Sequence, residues 1–292
     1  MIPGSRTSFV IASRNRSTEL AEVLRRLLDT TDSPIILVDN NSDDDSVAMA
    51  KKVAADDGAR LTVVELDDNL GAVGRNVGVA QAQTPYVAFC DDDSWWESGA
   101  ITAAEEIFDA YPSVAVLSGR TVVYPDMRDD PIVEQLADSS LGWDPALPGP
   151  SILGFLACSA MVRKSAFEAV GGFSPILHFR GEEALLAWDL AADNWDLCFC
   201  ERLVAYHRPS TRRGTTAAQD ARSLRNAVLS TWLRRPLGHC ARAARDLVRA
   251  AVRDREHAAA LGQALRALPA VIAERRRLPA ETERALRALE TG

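Results

Sequence analysis

The sequence predicts an α/β protein, a mostly parallel twisted sheet flanked by helices on both faces and followed by a helical appendage. Three observations carry this expectation. Between Thr7 and Leu117, short apolar runs alternate with segments whose apolar residues recur at helical spacing. Three of the runs end in polar clusters, Ser13-Arg14-Asn15-Arg16, Asp39-Asn40-Asn41-Ser42-Asp43 and Asp91-Asp92-Asp93, where an open α/β sheet binds its ligand. After His207 the chain becomes rich in Ala, Leu and Arg.

Thr7–Ser13 (TSFVIAS) is a β-branched apolar run that suits a buried strand. Behind it, Leu20, Val23, Leu24, Leu27 and Leu28 predict a helix over Ser17–Leu28 with one apolar face. The alternation continues through strand Ile35–Asp39, a helix near Ser46–Ala55, strand Leu61–Glu65, a helix near Gly74–Ala82, strand Tyr86–Cys90, a helix near Gly99–Tyr111 and strand Val114–Leu117. Parallel strands need such crossovers, which cover both faces of the sheet. Tyr124–Pro150 holds five prolines, several acids and no period, and reads as a long loop across the sheet edge. Apolar character returns from Ile152 to Val162, then a short helix near Ser165–Ala169 closes at Gly171-Gly172. A helix over Glu182–Ala192 and a strand pair ending at His207 follow, and from Ala217 the chain reads as helices broken at Pro236, Pro269 and Pro279.

A chain of 292 residues, 47% hydrophobic and 25% charged, can bury one substantial core and carry a smaller appendage. Its net charge of -8 conceals two regions: up to His207 there are 15 Lys+Arg against 33 Asp+Glu, and from Arg208 onward 18 Arg against 8 acids. The acidic body argues against a nucleic-acid enzyme, because phosphate contacts supply most of such affinity, while the basic tail leaves room for an anionic partner. Cys90, Cys158, Cys198, Cys200 and Cys240 are odd in number and scattered, so they read as reduced, buried thiols rather than a disulfide framework or zinc site. The N-terminus lacks a long apolar run and no window reaches a membrane span, which predicts a cytoplasmic protein.

Three acids directly after the apolar run Tyr86–Cys90 place carboxylates at a strand's exposed end. Either they surround a hard divalent cation, Mg²⁺ or Mn²⁺, or they form a solvated turn that caps the next helix. Asp39 ends another strand, where a carboxylate can accept from a ribose hydroxyl or a base N–H, while Ser42–Asp45 can instead cap the helix that follows. Asn69-Leu70-Gly71-Ala72-Val73-Gly74-Arg75-Asn76-Val77-Gly78 gives a glycine-rich helix entry with an embedded cation, without the G-x-G-x-x-G spacing.

Together these segments resemble the family 2 glycosyltransferases, inverting enzymes of the Rossmann-like GT-A fold, over about residues 7–235. In family order they are Val10–Arg16, Val38–Ser42, Asn69-Leu70-Gly71 with Gly74–Gly78, Phe89–Asp93, Gly171-Gly172-Phe173, Gly181-Glu182-Glu183 and His207. The resemblance implies that Ser13, Arg14 and Asp39 line a base and ribose pocket bordered by Arg75 and Asn76, with Asn15, Asn41, Asn69 and Gly71 in the same nucleotide-sugar site. Asp91 or Asp92 would contact the ribose, and Asp93, Asp91 and His207 would hold Mn²⁺ or Mg²⁺. Arg208, Arg212 and Arg213, which follow His207, are suited to act as cations on the diphosphate. Glu183 would be the general base, with Glu182 beside it as the alternative base or as an acceptor-orienting group. The family often continues this last motif with Asp-Leu and then Arg, whereas this chain has Ala184-Leu185-Leu186-Ala187-Trp188-Asp189.

The implied domain division is a catalytic domain over 1–210, with a nucleotide-sugar half to about 120 and an acceptor half beyond it, and an Arg-rich helical extension over 211–292. The implied partners are a nucleotide-diphosphate sugar, with UDP favoured, and a hydroxyl-bearing acceptor. Of Trp95 and Trp96, one is expected to pack and the other to meet the acceptor, where Phe155 is also expected. The arginine-rich helices either pack on the catalytic domain or touch an anionic membrane. A nucleotidyltransferase acting on sugar phosphates, or a carbohydrate-binding scaffold of the same fold, would share many of these features. Glu183 would lack a clear task in the first, and the persistence of the metal acids, glycine-rich segment and candidate base weighs against the second.

Overall fold

The computed structural model describes residues 5–57, 60–209 and 216–291. Its first half follows the predicted alternation: β1 (Thr7–Ser13), α1 (Ser17–Thr30), β2 (Ile35–Asp39), α2 (Ser46–Asp57), β3 (Leu61–Glu65), α3 (Val73–Gln81), β4 (Tyr86–Cys90), β5 (Ser94–Trp96), α4 (Ala100–Ala110) and β6 (Val114–Val123). The remainder comprises β7 (Arg128–Asp129), α5 (Ile132–Ala137), a 3-10 turn (Ala157–Ser159), β8 (Ala160–Arg163), α6 (Lys164–Ala169), α7 (Glu182–Ala192) and β9 (Asp196–His207). Four helices end the chain: α8 (Thr216–Arg234), α9 (Leu237–Ala251), α10 (Arg255–Glu274) and α11 (Ala280–Thr291).

The strands form one nine-stranded sheet in the order β3-β2-β1-β4-β8-β6-β9-β5, with β7 paired to β6. Strands β1, β2, β3, β4, β6 and β9 run one way, and β5, β7 and β8 run against them. The predicted α/β class with a mostly parallel sheet and C-terminal helices is therefore what the chain adopts. The period-2 geometry of a strand sends alternate residues to opposite faces. On β1, Phe9 and Ile11 join the layer containing α1 and α4, while Val10 joins the layer containing α6 and Phe173. A fully buried Val, Leu or Phe contributes about 1.5–3 kcal/mol, so these two layers carry much of the fold's stability. Helix α7 is apolar on two sides: Leu186, Ala187 and Leu190 face the sheet, while Leu185 joins Leu177 and α8 to α10 in a third cluster.

Several segments depart from the sequence reading. β6 continues to Val123, and the residues before His207 form a single twelve-residue strand, with a register shift opposite Gly119 and Arg120 rather than a turn between two strands. A β-carbon at Gly119 would stand 2.5 Å from the Leu203 carbonyl oxygen, so glycine permits that irregular pairing. The stretch read as a loop over Tyr124–Pro150 includes β7 and α5, whose Val133 and Leu136 supply only two buried contacts, too short a pattern to show periodicity. Pro269 lies inside α10 without ending it; Leu265, whose carbonyl the missing N–H would have served, is exposed. The break falls instead at Asp254, whose carboxylate accepts from the His257 N–H at 2.9 Å and caps α10.

Candidate active site

Because β1, β2, β4 and β9 share a direction, their carboxyl ends meet at one edge of the sheet, and the oppositely directed β8 begins there. A cleft of about 730 Å³ opens at this edge, reached by Ser13 and Arg14 after β1, Asn40 after β2, the turn at Asn69 and Gly71, Asp91 to Asp93 after β4 and His207 from β9. Its other wall is built from Leu156 to Cys158, the segment 178–181, Glu182 and Glu183 of α7, and α8 through Ala218 to Ser223. The sheet topology thus brings together residues from both ends of the chain.

The acid turn is held rigidly. The Asp91 N–H donates to Ser94 Oγ at 2.8 Å, and the Arg208 N–H donates to the Asp93 carbonyl at 2.8 Å, so β5 and β9 clamp the three carboxylates. Each carboxylate then has a different partner. Asp91 accepts from Arg75; Asp92 accepts from Ser13 Oγ at 2.7 Å and lies 3.8 Å from Arg16; Asp93 Oδ1 lies 3.5 Å from His207 Nε2. Burial, reinforced by its two acidic neighbours, pushes the Asp92 carboxyl up to about 7.

Among the described residues no three His, Cys, Asp or Glu side chains converge as a metal-binding group. Asp91, expected to join Asp93 and His207, lines the cleft with one carboxylate oxygen bonded to buried Arg75. The neighbouring Asp93 and His207 nevertheless offer one hard oxygen and one imidazole nitrogen at the cleft wall. That donor set fits Mn²⁺, or Mg²⁺ with phosphate oxygens and water completing the shell.

On the far side, Glu182 and Glu183 open α7. Glu182 is 1% exposed, its Oε1 lies 3.8 Å from Arg75 Nη1, and its Oε2 has no hydrogen-bond partner among the described residues. Burial first, and repulsion from Glu183 second, push its carboxyl up to about 8. The Glu183 carboxyl is also raised, chiefly by burial, against the opposing pull of nearby backbone N–H groups, including that of Ala157, and Arg75.

Other predicted residues brace the cleft without lining it. Asp39 is buried and accepts from the Ser42 N–H at 2.8 Å and from Ser42 Oγ at 2.5 Å, which shapes the loop after β2, while Asp44 accepts from the Ser46 N–H at the start of α2. Asn15 Oδ1 accepts from the Asp43 N–H, and the Asn41 carbonyl accepts from Arg14 Nε, so both tie the β1 and β2 loops together. Asn76 exchanges two hydrogen bonds of 2.9 Å with the Phe173 backbone and pins α3 to the Gly172 turn. Phe155 is a core residue; its neighbours Leu156 and Ala157 reach the cleft.

Trp95 and Trp96, of which one was expected to pack and the other to meet the acceptor, are both buried in β5. Trp96 donates from Nε1 to the Phe89 carbonyl at 3.0 Å, and Trp95 stacks on Tyr206 beneath the Arg26 guanidinium. Arg208 leaves the cleft to pair with Glu22 at 2.6 Å. Arg212 and Arg213 lie outside the described residues.

Residues that sequence reasoning missed include Asn40, Arg16, Arg180 and the start of α8. Asn40 accepts from the Leu70 N–H and donates to the Gly71 carbonyl, both at 3.2 Å, which shapes the 69–71 turn. It stands next to Asp39 in a motif already singled out, so its place after β2 was the available signal. Arg180 carried no such signal, because its position depends on contacts with α8.

Residues 8–171 match the family described as Glycosyl transferase family 2. The succinoglycan biosynthesis protein ExoU of Rhizobium meliloti is 32% identical over 95 residues, which are 32% of this chain and 27% of that protein. The pre-mycofactocin glycosyltransferase of Mycobacterium tuberculosis is 28% identical over 158 residues, 47% of this chain and 33% of that protein. The chain thus spans about a third or less of the curated relatives it matches. Among solved structures, the Pyrobaculum calidifontis mannosyltransferase PcManGT in complex with GDP-Man and Mn²⁺ superposes with a TM-score of 0.63 at 18% identity, covering 99% of this chain and 81% of that one. S. aureus TarS 1-349 in complex with UDP-GlcNAc gives 0.57 at 17% identity, covering 77% of this chain and 66% of that one. At such identities the likeness is one of fold, the GT-A fold. With more than half its length matched and the fold in agreement, this chain belongs to glycosyl transferase family 2.

Proposed function

We propose that the protein transfers a sugar from a nucleoside diphosphate, with UDP favoured, to an acceptor hydroxyl with inversion. The carrying observation is that the acid turn at Asp91–Asp93 and the carboxylates of Glu182 and Glu183 line one cleft. The nucleoside-diphosphate sugars in the complexes of PcManGT with GDP-Man and of TarS with UDP-GlcNAc support the donor class. Glu183 takes the acceptor hydroxyl's proton as that oxygen bonds to the anomeric carbon and the carbon–diphosphate bond breaks on the opposite side. Glu182, buried beside Arg75, holds the base in place rather than taking the proton. Ser13, Arg14, Asn69 and Gly71 hold the nucleotide, and Asp93 with His207 would hold Mn²⁺ or Mg²⁺. Such an ion neutralises the charge that develops on the departing diphosphate.

Calorimetric titration of UDP, GDP and dTDP, with Mn²⁺ and then with EDTA, tests the donor half of this reading. One nucleotide should bind only with metal, and Asp93→Ala should abolish that binding. Absence of binding by all three under both conditions would refute the proposal.

We further propose that α9 rests on an anionic membrane. No helix among the described residues is long and apolar enough to cross a bilayer. On α9 and the residues just after it, Leu237, Ala241, Val248 and Val252 form an exposed apolar row beside Arg242, Arg245, Arg249 and Arg253; Asp246, near two of these arginines, offsets part of the charge. An apolar row beside a cationic one suits a headgroup interface. The full chain should float with phosphatidylserine vesicles and not with phosphatidylcholine vesicles, and Val248→Asp with Val252→Asp should abolish this. Failure of the unaltered chain to float would refute it.

A further inference from the structure

A second cavity, of about 420 Å³, adjoins the cleft between α8 and α10, and His178, Phe179, Ala218 and Arg222 line both. Arg234 and Arg235, buried in the C-terminal helices, have carboxylate partners: Arg234 pairs with Asp189, and Arg235 pairs with Glu283 and Glu290. Arg180 instead donates to the amide oxygen of Gln219 at 2.8 Å. Arg225 donates to the Leu177 carbonyl and to the amide oxygens of Asn226 and Gln263, all neutral. Arg222, one helical turn before Arg225, is exposed and lines both cavities.

Among the described residues, no carboxylate forms an ion pair with any of these three arginines. Glu256, which also lines the second cavity, is exposed and pairs with none of them. Placing Arg222 and Arg225 on the same helix face costs electrostatic energy. Burial, and then the charge of Arg222, lower the Arg225 guanidinium from its ordinary value. Bracing of the 177–181 segment accounts for Arg225 and for the Arg180 link to Gln219, but not for Arg222, which is exposed to both cavities. A body that carries a large excess of acids has thus left cations without counter-ions at the mouth of its cleft.

We infer that this junction is an oxyanion subsite for the acceptor: Arg222, with Arg180 and Arg225 behind it, receives a phosphate or carboxylate carried by the molecule whose hydroxyl is glycosylated. Guanidinium groups present paired N–H donors that match such oxyanions. This rests on the transferase reading for the word acceptor, while the anion site itself stands on the arginines. The natural acceptor is thereby an anionic one, a sugar or polyol phosphate or a uronate, rather than a neutral saccharide.

The test is calorimetric titration of glycerol 3-phosphate, glucuronate and glycerol into the full chain already saturated with its nucleoside diphosphate and Mn²⁺, so that the donor's anion site is filled. At least one of the two anionic probes should bind, and its identity separates phosphate from carboxylate; glycerol should not bind. Arg222→Gln should weaken the anion at least about tenfold, the value of one charged hydrogen bond, and leave nucleotide affinity unchanged. Because Arg222 is exposed, this variant should fold even if Arg225→Gln does not. Equal binding by Arg222→Gln, failure of both anions to bind, or loss of nucleotide binding in Arg222→Gln would overturn the inference. If no nucleotide binds the unaltered chain, the transferase reading fails, and the same anion titration without nucleotide still decides the subsite.

Discussion

Arg75 Nη1 lies 3.8 Å from Glu182 Oε1 while Nη2 of the same guanidinium donates to Asp91, and Arg75 itself is only 4% exposed. One buried cation therefore joins the acid turn to the start of α7, the two halves of the site. Replacing it with Met leaves two carboxylates without their cation. Loss of one partner of a buried pair costs about 3–5 kcal/mol. Chemical denaturation should show Arg75→Met destabilised by that order, and an unchanged midpoint would mean that the carboxylates find other partners.

The pH dependence follows from the raised carboxyls of α7. A base whose pKa lies above the ordinary carboxylate range loses activity as pH falls through that raised value. Below about 8 Glu182 is itself protonated and glutamine keeps that neutral state, so the acid limb of kcat/KM should stay in place in Glu182→Gln. Glu183→Gln should remove turnover by at least about 10²-fold, the lower contribution of a positioned base. An acid limb that moves in Glu182→Gln would show that Glu182 carries a charge where Glu183 titrates.

The same shift predicts a stability trend. Glu182 is raised from 4.5 to about 8, so the stability it contributes is fully present below about 4.5 and is lost as pH rises through about 8. Glutamine mimics the protonated form throughout. The melting temperature of Glu182→Gln should therefore rise relative to the unaltered protein across that window, and a constant difference would contradict the buried-acid reading.

At Gly71, φ is +60°, and a β-carbon would stand 2.2 Å from the His178 carbonyl oxygen. The same carbonyl accepts from the Ala72 N–H at 2.7 Å, so the 69–71 turn and the 177–181 segment are locked together. Gly71→Ala should cost about 1–3 kcal/mol, from backbone strain alone, and more if His178 cannot move. Thermal unfolding would measure this.

Asn226 is wholly buried, and its Nδ2 donates to the carbonyls of Leu177, Phe179 and Arg180 at 3.0, 2.8 and 2.6 Å. Asn226→Ala takes the donor from the Phe179 and Arg180 carbonyls, while Leu177 keeps Arg225, at about 1–3 kcal/mol for an unsatisfied buried group. Its effect should also appear as faster amide hydrogen exchange over 177–181, while α1 and β1 keep their protection.

The sequence by itself determined the strand and helix alternation from Thr7 to Val114, because burial on both faces writes apolar runs and three-four spacing directly into the chain. It also located the acids after β4 and the carboxylates of α7, since strand ends and helix starts are local features. Tertiary structure decided what those groups face. The capture of Asp91 by Arg75, the burial of Trp95 and Trp96, the diversion of Arg208 to Glu22 and the arrival of α8 at the cleft all join residues distant in sequence. No local period encodes such contacts, because their energy is set by charge, volume and hydrogen-bond geometry across elements that meet only once the sheet has closed over its two cores.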